Sequence, residues 1–338
     1  MNLKIFFKGY YGFENLGDDI FVHTIKWFAN KYGYSDKIHG YNLPENTEGK
    51  KVRNKIEKNL FDIYYALTCK RIIYWGGSTF EKNSSITDLK YYLMRIKFLR
   101  KKLLAMGISI GPFKNEEEEK LLLEYIKDIS YVGVRDNKSL HYNNKFKFTF
   151  DLAILSPEIF NIEKNERSDM KVISINISNA ENIEEYQSIF KKFLVSNSNK
   201  IKKVNIIVFN PNDYNLSNSF YLDIKNYVND SSLIDYTSNS EFMLKILANS
   251  DLMLGNRLHS GILSYAYKVP FILNEYHEKC TDFVKTIEQD YDYKSFEKSL
   301  DKGIDYVIEQ ASINKNPEYF RGIMINELEK MSRKIERK

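Results

Sequence analysis

The stretch Asp251-Leu-Met-Leu-Gly-Asn-Arg-Leu-His-Ser-Gly-Ile-Leu-Ser-Tyr-Ala-Tyr-Lys-Val-Pro-Phe-Ile-Leu-Asn-Glu-Tyr-His-Glu-Lys279 decides how the chain is read. An apolar run over 252–254 stops at Gly255, and Arg257 and His259 follow at once. Residues 261–267 are small or apolar and read as a helix. A second apolar run, 269–273, stops at Asn274 and delivers Tyr276, His277 and Lys279. Two successive strand–helix units thus each end in a cationic cluster. In open α/β sheets such strand ends line the ligand crevice. A helix starting after Arg257 also turns its positive end towards an anion. The expectation is an anionic, phosphate-bearing small substrate with an imidazole beside it.

Upstream, the same grammar repeats. A β-rich run over 3–7 leads into Gly9-Tyr-Tyr-Gly12-Phe-Glu-Asn15-Leu-Gly17-Asp18-Asp19, and residues 20–29 have helical spacing, with Asp18 as the expected N-cap. Gly9, Gly12 and Gly17 with Asn15 read as a binding loop in preference to an ordinary turn. The pattern is neither a Walker loop nor G-x-G-x-x-G, so neither ATP nor NAD is indicated. A strand over 71–75 ends in Gly76-Gly77-Ser78-Thr79-Phe80. Residues 89–99 read as a helix with a basic side, carried by Lys90, Arg95, Lys97, Arg100, Lys101 and Lys102; a solvated face is preferred to a membrane-surface one. Strands over 103–110, 131–134 and 146–150 deliver Gly111-Pro112-Phe113, Arg135 to Ser139, and Asp151.

The chain turns polar and loses its period over 156–170, where the linker is expected. Beyond it the alternation restarts. Strands are expected over 172–177, 204–209, ending in Asn210-Pro-Asn-Asp213, and 233–236. Helices are expected over 183–194, 219–228, 240–248, 281–287, 296–310 and 320–335. Short βα connections mark parallel sheets. The expected fold is α/β, with two doubly wound Rossmann-like domains, 1–155 and 171–338, C-terminal helices on the second, and a cleft between the halves as the site. Polar or glycine-rich clusters follow nearly every apolar run, and the sequence predicts that they share one sheet edge.

At 338 residues the chain is long for a single core. Its 43% hydrophobic and 28% charged content is that of a globular protein. The 25 Tyr and 22 Phe suit a sugar-stacking surface, although compositional bias explains most of the excess. A net charge of +5, without zinc-finger spacing or aromatic–basic RNA motifs, gives no case for nucleic acid. Cys69 and Cys280 form no disulfide framework. No signal peptide and no membrane-length apolar run is visible, so a cytoplasmic location is expected, with peripheral membrane contact as an open alternative.

Taken in order, Gly9 to Asp19, Gly76-Gly77, Gly107-Ile-Ser-Ile-Gly-Pro112, Val134-Arg-Asp-Asn-Lys-Ser139, Asp151-Leu-Ala, Asn256-Arg-Leu-His259, and Pro270 with Tyr276 and Lys279 resemble the polysaccharide pyruvyl transferase family. Ser78 departs from it, standing where the family has a third glycine. The resemblance implies a GT-B-like fold, with an acceptor-side first domain and a donor-side second one. It implies transfer of a pyruvyl group from phosphoenolpyruvate to two hydroxyls of a sugar, free of nucleotide cofactor. It also implies substrate-binding positions at Gly9, Gly12, Asn15, Gly17, Asp18, Asp19, Gly76, Gly77, Ser78, Ser139 and Tyr276.

The residue chemistry is compatible. A ligand carrying a carboxylate and a phosphate needs fixed cations, and Arg offers bidentate geometry. Arg135, Arg257 and Lys279 are the candidates, with Arg135 expected at the carboxylate and Lys279 at the departing phosphate. Ketal formation begins with protonation of the methylene carbon, and His259 is the candidate acid. Plainer readings stand beside these: His259 as a core histidine, Arg135 paired with Asp136, His277 at the surface. His23, His39 and His141 read as structural. Asp290-Tyr-Asp292 mimics a metal-binding Asp-x-Asp but follows a helix, so no metal is expected. The competing functions are a nucleotide-sugar glycosyltransferase and a non-catalytic glycan-binding relative on the same fold.

Overall fold

Strands buried on both faces need continuous apolar runs rather than alternating ones, and the chain supplies them twice. The computed structural model describes residues 4–41, 43, 48–50, 55–80, 89, 93, 95–113, 115–163 and 169–336. It divides into two units. The first comprises Met1–Phe13, Ile20–Leu152 and Phe320–Lys338, the second Glu14–Asp19 and Ala153–Tyr319.

The first unit holds β1 (Ile5–Lys8), β2 (Ile38–Tyr41), β3 (Glu48–Lys50), β4 (Arg71–Trp75), β5 (Leu103–Ile108), β6 (Tyr131–Val134) and β7 (Lys147–Phe148). They form one parallel sheet in the order β3-β2-β1-β4-β5-β6-β7. The order reverses between β1 and β4. Helices Lys55–Thr68 and Glu116–Ile126 join the core through Tyr65, Ala66, Leu122, Tyr125 and Ile126. Asn115 starts the second of these by accepting the Glu118 N–H at 2.9 Å. Trp75 anchors helix Leu16–Lys31, its ring N–H donating to Thr24 Oγ1 at 2.8 Å.

The last helix, Pro317–Glu336, repeats apolar residues every three or four positions: Phe320, Met324, Leu328, Met331 and Ile335 are buried. Phe320 stacks on Phe150 at 4.4 Å, and Tyr131 donates its hydroxyl to the buried Glu327 carboxylate. Burial pushes the Tyr131 phenol up. These partners put residues 320–338 in the first unit, where the sequence had put them in the second.

The second unit holds β8 (Lys171–Asn176), β9 (Ile201–Ile207), β10 (Ser231–Ile234), β11 (Leu252–Gly255) and β12 (Phe271–Leu273), parallel in the order β10-β9-β8-β11-β12. Here the order reverses between β8 and β11. Helix Ile183–Ser196 buries Tyr186, Ile189, Phe190, Phe193 and Leu194 in its core.

Several expectations change. The units divide at Leu152 and Ala153 rather than after 155, and part of the expected linker is helical (Ser156–Ile159); its residues 164–168 lie outside the described residues. Of the basic helix expected over 89–99, Lys90, Tyr91, Tyr92 and Met94 lie outside them, and a short helix covers Lys97–Arg100. Strands β2 and β3 escaped the sequence reading because they are short and carry few apolar residues. The clusters expected at one sheet edge belong to two sheets, five following strands of the first unit and two following β11 and β12. Among the described residues, no helix is long and apolar enough to cross a membrane.

Candidate active site

In doubly wound sheets the ligand crevice forms at the carboxyl ends of the strands, where their order reverses. In the second unit that point lies between β8 and β11. Asn176 ends β8 fully buried, its amide donating to the Ile207 carbonyl at 3.0 Å and its Oδ1 accepting the Arg257 N–H at 3.1 Å. This fixes the turn after β11. Arg257 is the N-cap of helix Leu258–Ala266, at the end where the first-turn N–H groups favour an anion.

Asp213 holds that guanidinium in a fork. Nε and Nη2 of Arg257 donate to the two carboxylate oxygens at 2.5 and 2.9 Å, with the Asp213 side chain 3% exposed and that of Arg257 27%. The bidentate pair leaves the Nη1 edge of Arg257 without a hydrogen bond among the described residues. Asp213 is delivered by the Asn210-Pro-Asn-Asp turn after β9. Asn210 in turn holds the loop segment that sequence singled out: its amide donates to the Glu14 carbonyl at 3.0 Å, and the Leu16 N–H reaches Phe209 O at 3.0 Å.

That segment starts helix Leu16–Lys31. Asn15, not Asp18, makes the capping bond, accepting the Gly17 N–H on Oδ1 at 3.2 Å; the helix begins earlier than expected, so Asp18 and Asp19 fall in its first turn. Gly17 lies against the imidazole, and a Cβ built on it would sit 2.0 Å from Nδ1 of His259. Tyr236 donates its hydroxyl to Asp19 Oδ2 at 2.6 Å. Burial raises the Asp19 pKa, and the Tyr236 bond offsets part of that; burial likewise pushes the Tyr236 phenol up.

Gly255 of β11 pairs with Leu273 of β12, so the next strand end is its neighbour. Tyr276 is half exposed there, its phenol pKa raised by burial, with Arg257 and Asp213 among the charges acting on it. His277 caps helix Glu278–Thr286, its Nδ1 accepting the Lys279 N–H at 3.2 Å, which gives this histidine a structural role. Lys279 follows in the first turn. The second unit thus gathers Asn15, Gly17, Asp18, Asp19, Arg257, His259, Tyr276 and Lys279, with two helix N-termini at one sheet edge.

The remaining candidates belong to the first unit. Gly9 and Gly12 follow β1, and Gly76, Gly77 and Ser78 follow β4, on either side of that sheet's own reversal. Tyr10 and Phe13 stack on each other at 4.2 Å on the exposed loop between them. Arg135 is in an internal network: Nη1 donates to Asp151 at 2.7 Å, Nε to Ser109 at 2.6 Å and Nη2 to Ser78 at 3.3 Å. Its ion-pair partner is Asp151 rather than Asp136, which instead accepts from Ser109 and caps the helix Asn137–His141. Ser139 is fully buried, its hydroxyl accepting the Ile110 N–H at 2.8 Å.

Sequence reading passed over Asp213, Asn176, Asn210 and Tyr236 as site residues. The signal available was the polar turn at 210–213 after an apolar run. Two further asparagines, Asn256 and Asn274, directly follow β11 and β12 and are fully buried, and their side-chain amides have no hydrogen-bond partner among the described residues. Asp292 caps the helix Tyr293–Glu297. Among the described residues, no group of three or more His, Cys, Asp or Glu is placed to hold a metal ion.

The model of the polysaccharide pyruvyl transferase family matches residues 15–278. No curated protein matches the chain. Solved structures with the same fold include S. aureus MnaA with UDP, at 11% identity and TM-score 0.62, covering 100% of this chain and 99% of that one. UDP-GlcNAc 2-epimerase from Neisseria meningitidis bound to UDP-GlcNAc follows at 12% and 0.59, covering 98% and 99%. A glycosyltransferase from Rickettsia africae follows at 13% and 0.58, covering 99% of each chain. At such identities the likeness establishes the GT-B architecture alone.

Proposed function

Because the chain belongs to the polysaccharide pyruvyl transferase family, we propose that it transfers a pyruvyl group from phosphoenolpyruvate to two hydroxyls of a sugar. The sugar would belong to a cell-surface glycan or its lipid-linked precursor, and the products would be a pyruvate ketal and phosphate. The observation that supports this most is Arg257: a guanidinium oriented by Asp213 at a helix N-terminus, with His259 two residues on.

In this reading Arg257, Lys279 and the two helix N-termini hold the carboxylate and phosphate of the donor. His259 gives a proton to the methylene carbon. The adjacent carbon becomes electron-poor, a sugar hydroxyl adds to it, and its proton leaves to a base. Phosphate departs with the electron pair of its C–O bond, stabilised by Lys279. A second hydroxyl closes the ketal and loses its proton. Arg135, held by Asp151, Ser109 and Ser78, organises its own strand ends instead of gripping the donor. The exposed Tyr10–Phe13 pair offers a stacking face suited to a sugar acceptor. No nucleotide or metal enters these steps. In this reading the reaction takes place in the cytoplasm.

The test is phosphate release from phosphoenolpyruvate in the presence of a glycan panel. His259→Ala should lower ketal formation by roughly 10²–10⁴-fold with the melting temperature retained; full activity would remove His259 from the role of acid. Arg257→Ala also strands the buried Asp213 carboxylate, so Arg257→Lys is its companion, and both should raise the phosphoenolpyruvate requirement. A second reading is a nucleotide-sugar glycosyltransferase, since the same fold occurs in a solved glycosyltransferase and in structures holding UDP and UDP-GlcNAc. Consumption of nucleotide sugar without phosphoenolpyruvate turnover would select it. Saturable glycan binding with neither turnover would select a non-catalytic relative.

A further inference from the structure

Helix Lys55–Thr68 is apolar on two sides. One side carries Phe61, Tyr65, Ala66 and Cys69 beyond its end, packed in the core of the first unit. On the other side Ile56 (73% exposed), Leu60 (63%) and Leu67 (59%), with Ile63 and Tyr64, face outward. At 100° per residue Ile56, Leu60, Ile63 and Leu67 fall on one narrow stripe, with Tyr64 at its border. A solvated helix face carries polar residues there, so this stripe asks for an apolar neighbour.

The stripe does not stop at the helix end. The Lys102 ammonium donates to the Ala66 and Leu67 carbonyls at 3.0 and 3.2 Å, and lies 5.9 Å from the Phe98 ring. Phe98 and its neighbour Ile96 are themselves exposed. Residues 95–102 read Arg-Ile-Lys-Phe-Leu-Arg-Lys-Lys, without a carboxylate. An apolar stripe therefore runs into a cationic end.

We propose that this stripe, with Phe98, Lys97 and Lys101, docks the first unit on an anionic membrane surface, the helix Lys55–Thr68 lying in the plane of the headgroups. Apolar side chains at the headgroup boundary with cations beside them are the chemistry of interfacial helices. A second copy of the chain fits less well. One helix face supplies a few hundred Å², short of the ~800 Å² per partner of a stable dimer. The proposal needs no catalytic step, so it and the proposed activity can each fail alone.

Cosedimentation with phosphatidylcholine vesicles, with and without phosphatidylglycerol, tests it. The full chain should pellet with the anionic vesicles. Leu60→Glu combined with Leu67→Glu should weaken partitioning by about tenfold or more at an unchanged melting temperature. Lys97→Glu with Lys101→Glu should abolish the preference for phosphatidylglycerol. In a chain carrying only Leu60→Trp, the added indole should shift its emission to the blue on vesicle addition, a readout independent of how the charged variants fold. Protein that stays in the supernatant with both vesicle types overturns the proposal. So does a dimer in sedimentation velocity that the Leu60 and Leu67 double variant converts to monomer.

Discussion

Gly17 shows how much one missing methyl group decides. With the Cβ of any other residue there, His259 has to leave its position. Gly17→Ala should therefore lower turnover by about 10²-fold, the order expected when a reacting group is misplaced by an ångström, while thermal melts stay near wild type. Two positions on, burial raises the Asp19 pKa above 3.8. A carboxyl raised in the folded state favours folding below its unfolded pKa, and that contribution is lost as pH rises through the folded value. Asp19→Asn keeps an acceptor for Tyr236 and removes the charge. The variant should melt above wild type at pH 7, with the difference shrinking towards pH 4. The sequence made Gly17, Asp19 and His259 legible separately, as residues just past apolar runs. It could not bring Gly17 to His259, because that meeting depends on Asn210 and Phe209 seizing the backbone at 14–16. Nor could it tell Arg257, which sits at a sheet reversal, from Arg135, which is enclosed by Asp151 and Ser109: both simply follow an apolar run.

At the level of elements, ten of the twelve strands were visible in apolar runs, because parallel strands buried on both faces leave that mark whatever their neighbours. The strand order was not visible, since it depends on which face each crossover helix takes. Helix Pro317–Glu336 shows the limit well. Its period announces a buried face, yet nothing in the period says whose core will cover it. The answer lies in pairs such as Phe150–Phe320 and Tyr131–Glu327. Glu327→Ala removes the acceptor of a buried phenol and the partner of Lys330 at 2.6 Å. A loss of about 2 kcal/mol is expected, read as a lower denaturant midpoint. Glu327→Gln, which still accepts from Tyr131, should recover a good part of it.

Over the whole molecule, the chain passes between its two units at Phe13, Asp19, Leu152 and Tyr319. A fragment cut at the boundary the sequence suggested, residues 1–155, lacks the helix that covers Phe150 and Tyr131. It should express as insoluble protein, and supplying 317–338 on a second chain should restore soluble yield and a folded circular dichroism spectrum. The same crossing has a consequence during synthesis. Translation proceeds at roughly 5–20 residues per second, and the first sheet, complete in its strands by Phe148, must wait for a helix that begins at Pro317. For on the order of ten seconds the nascent chain presents an apolar flank whose cover has not yet been made, the interval in which it is most open to aggregation.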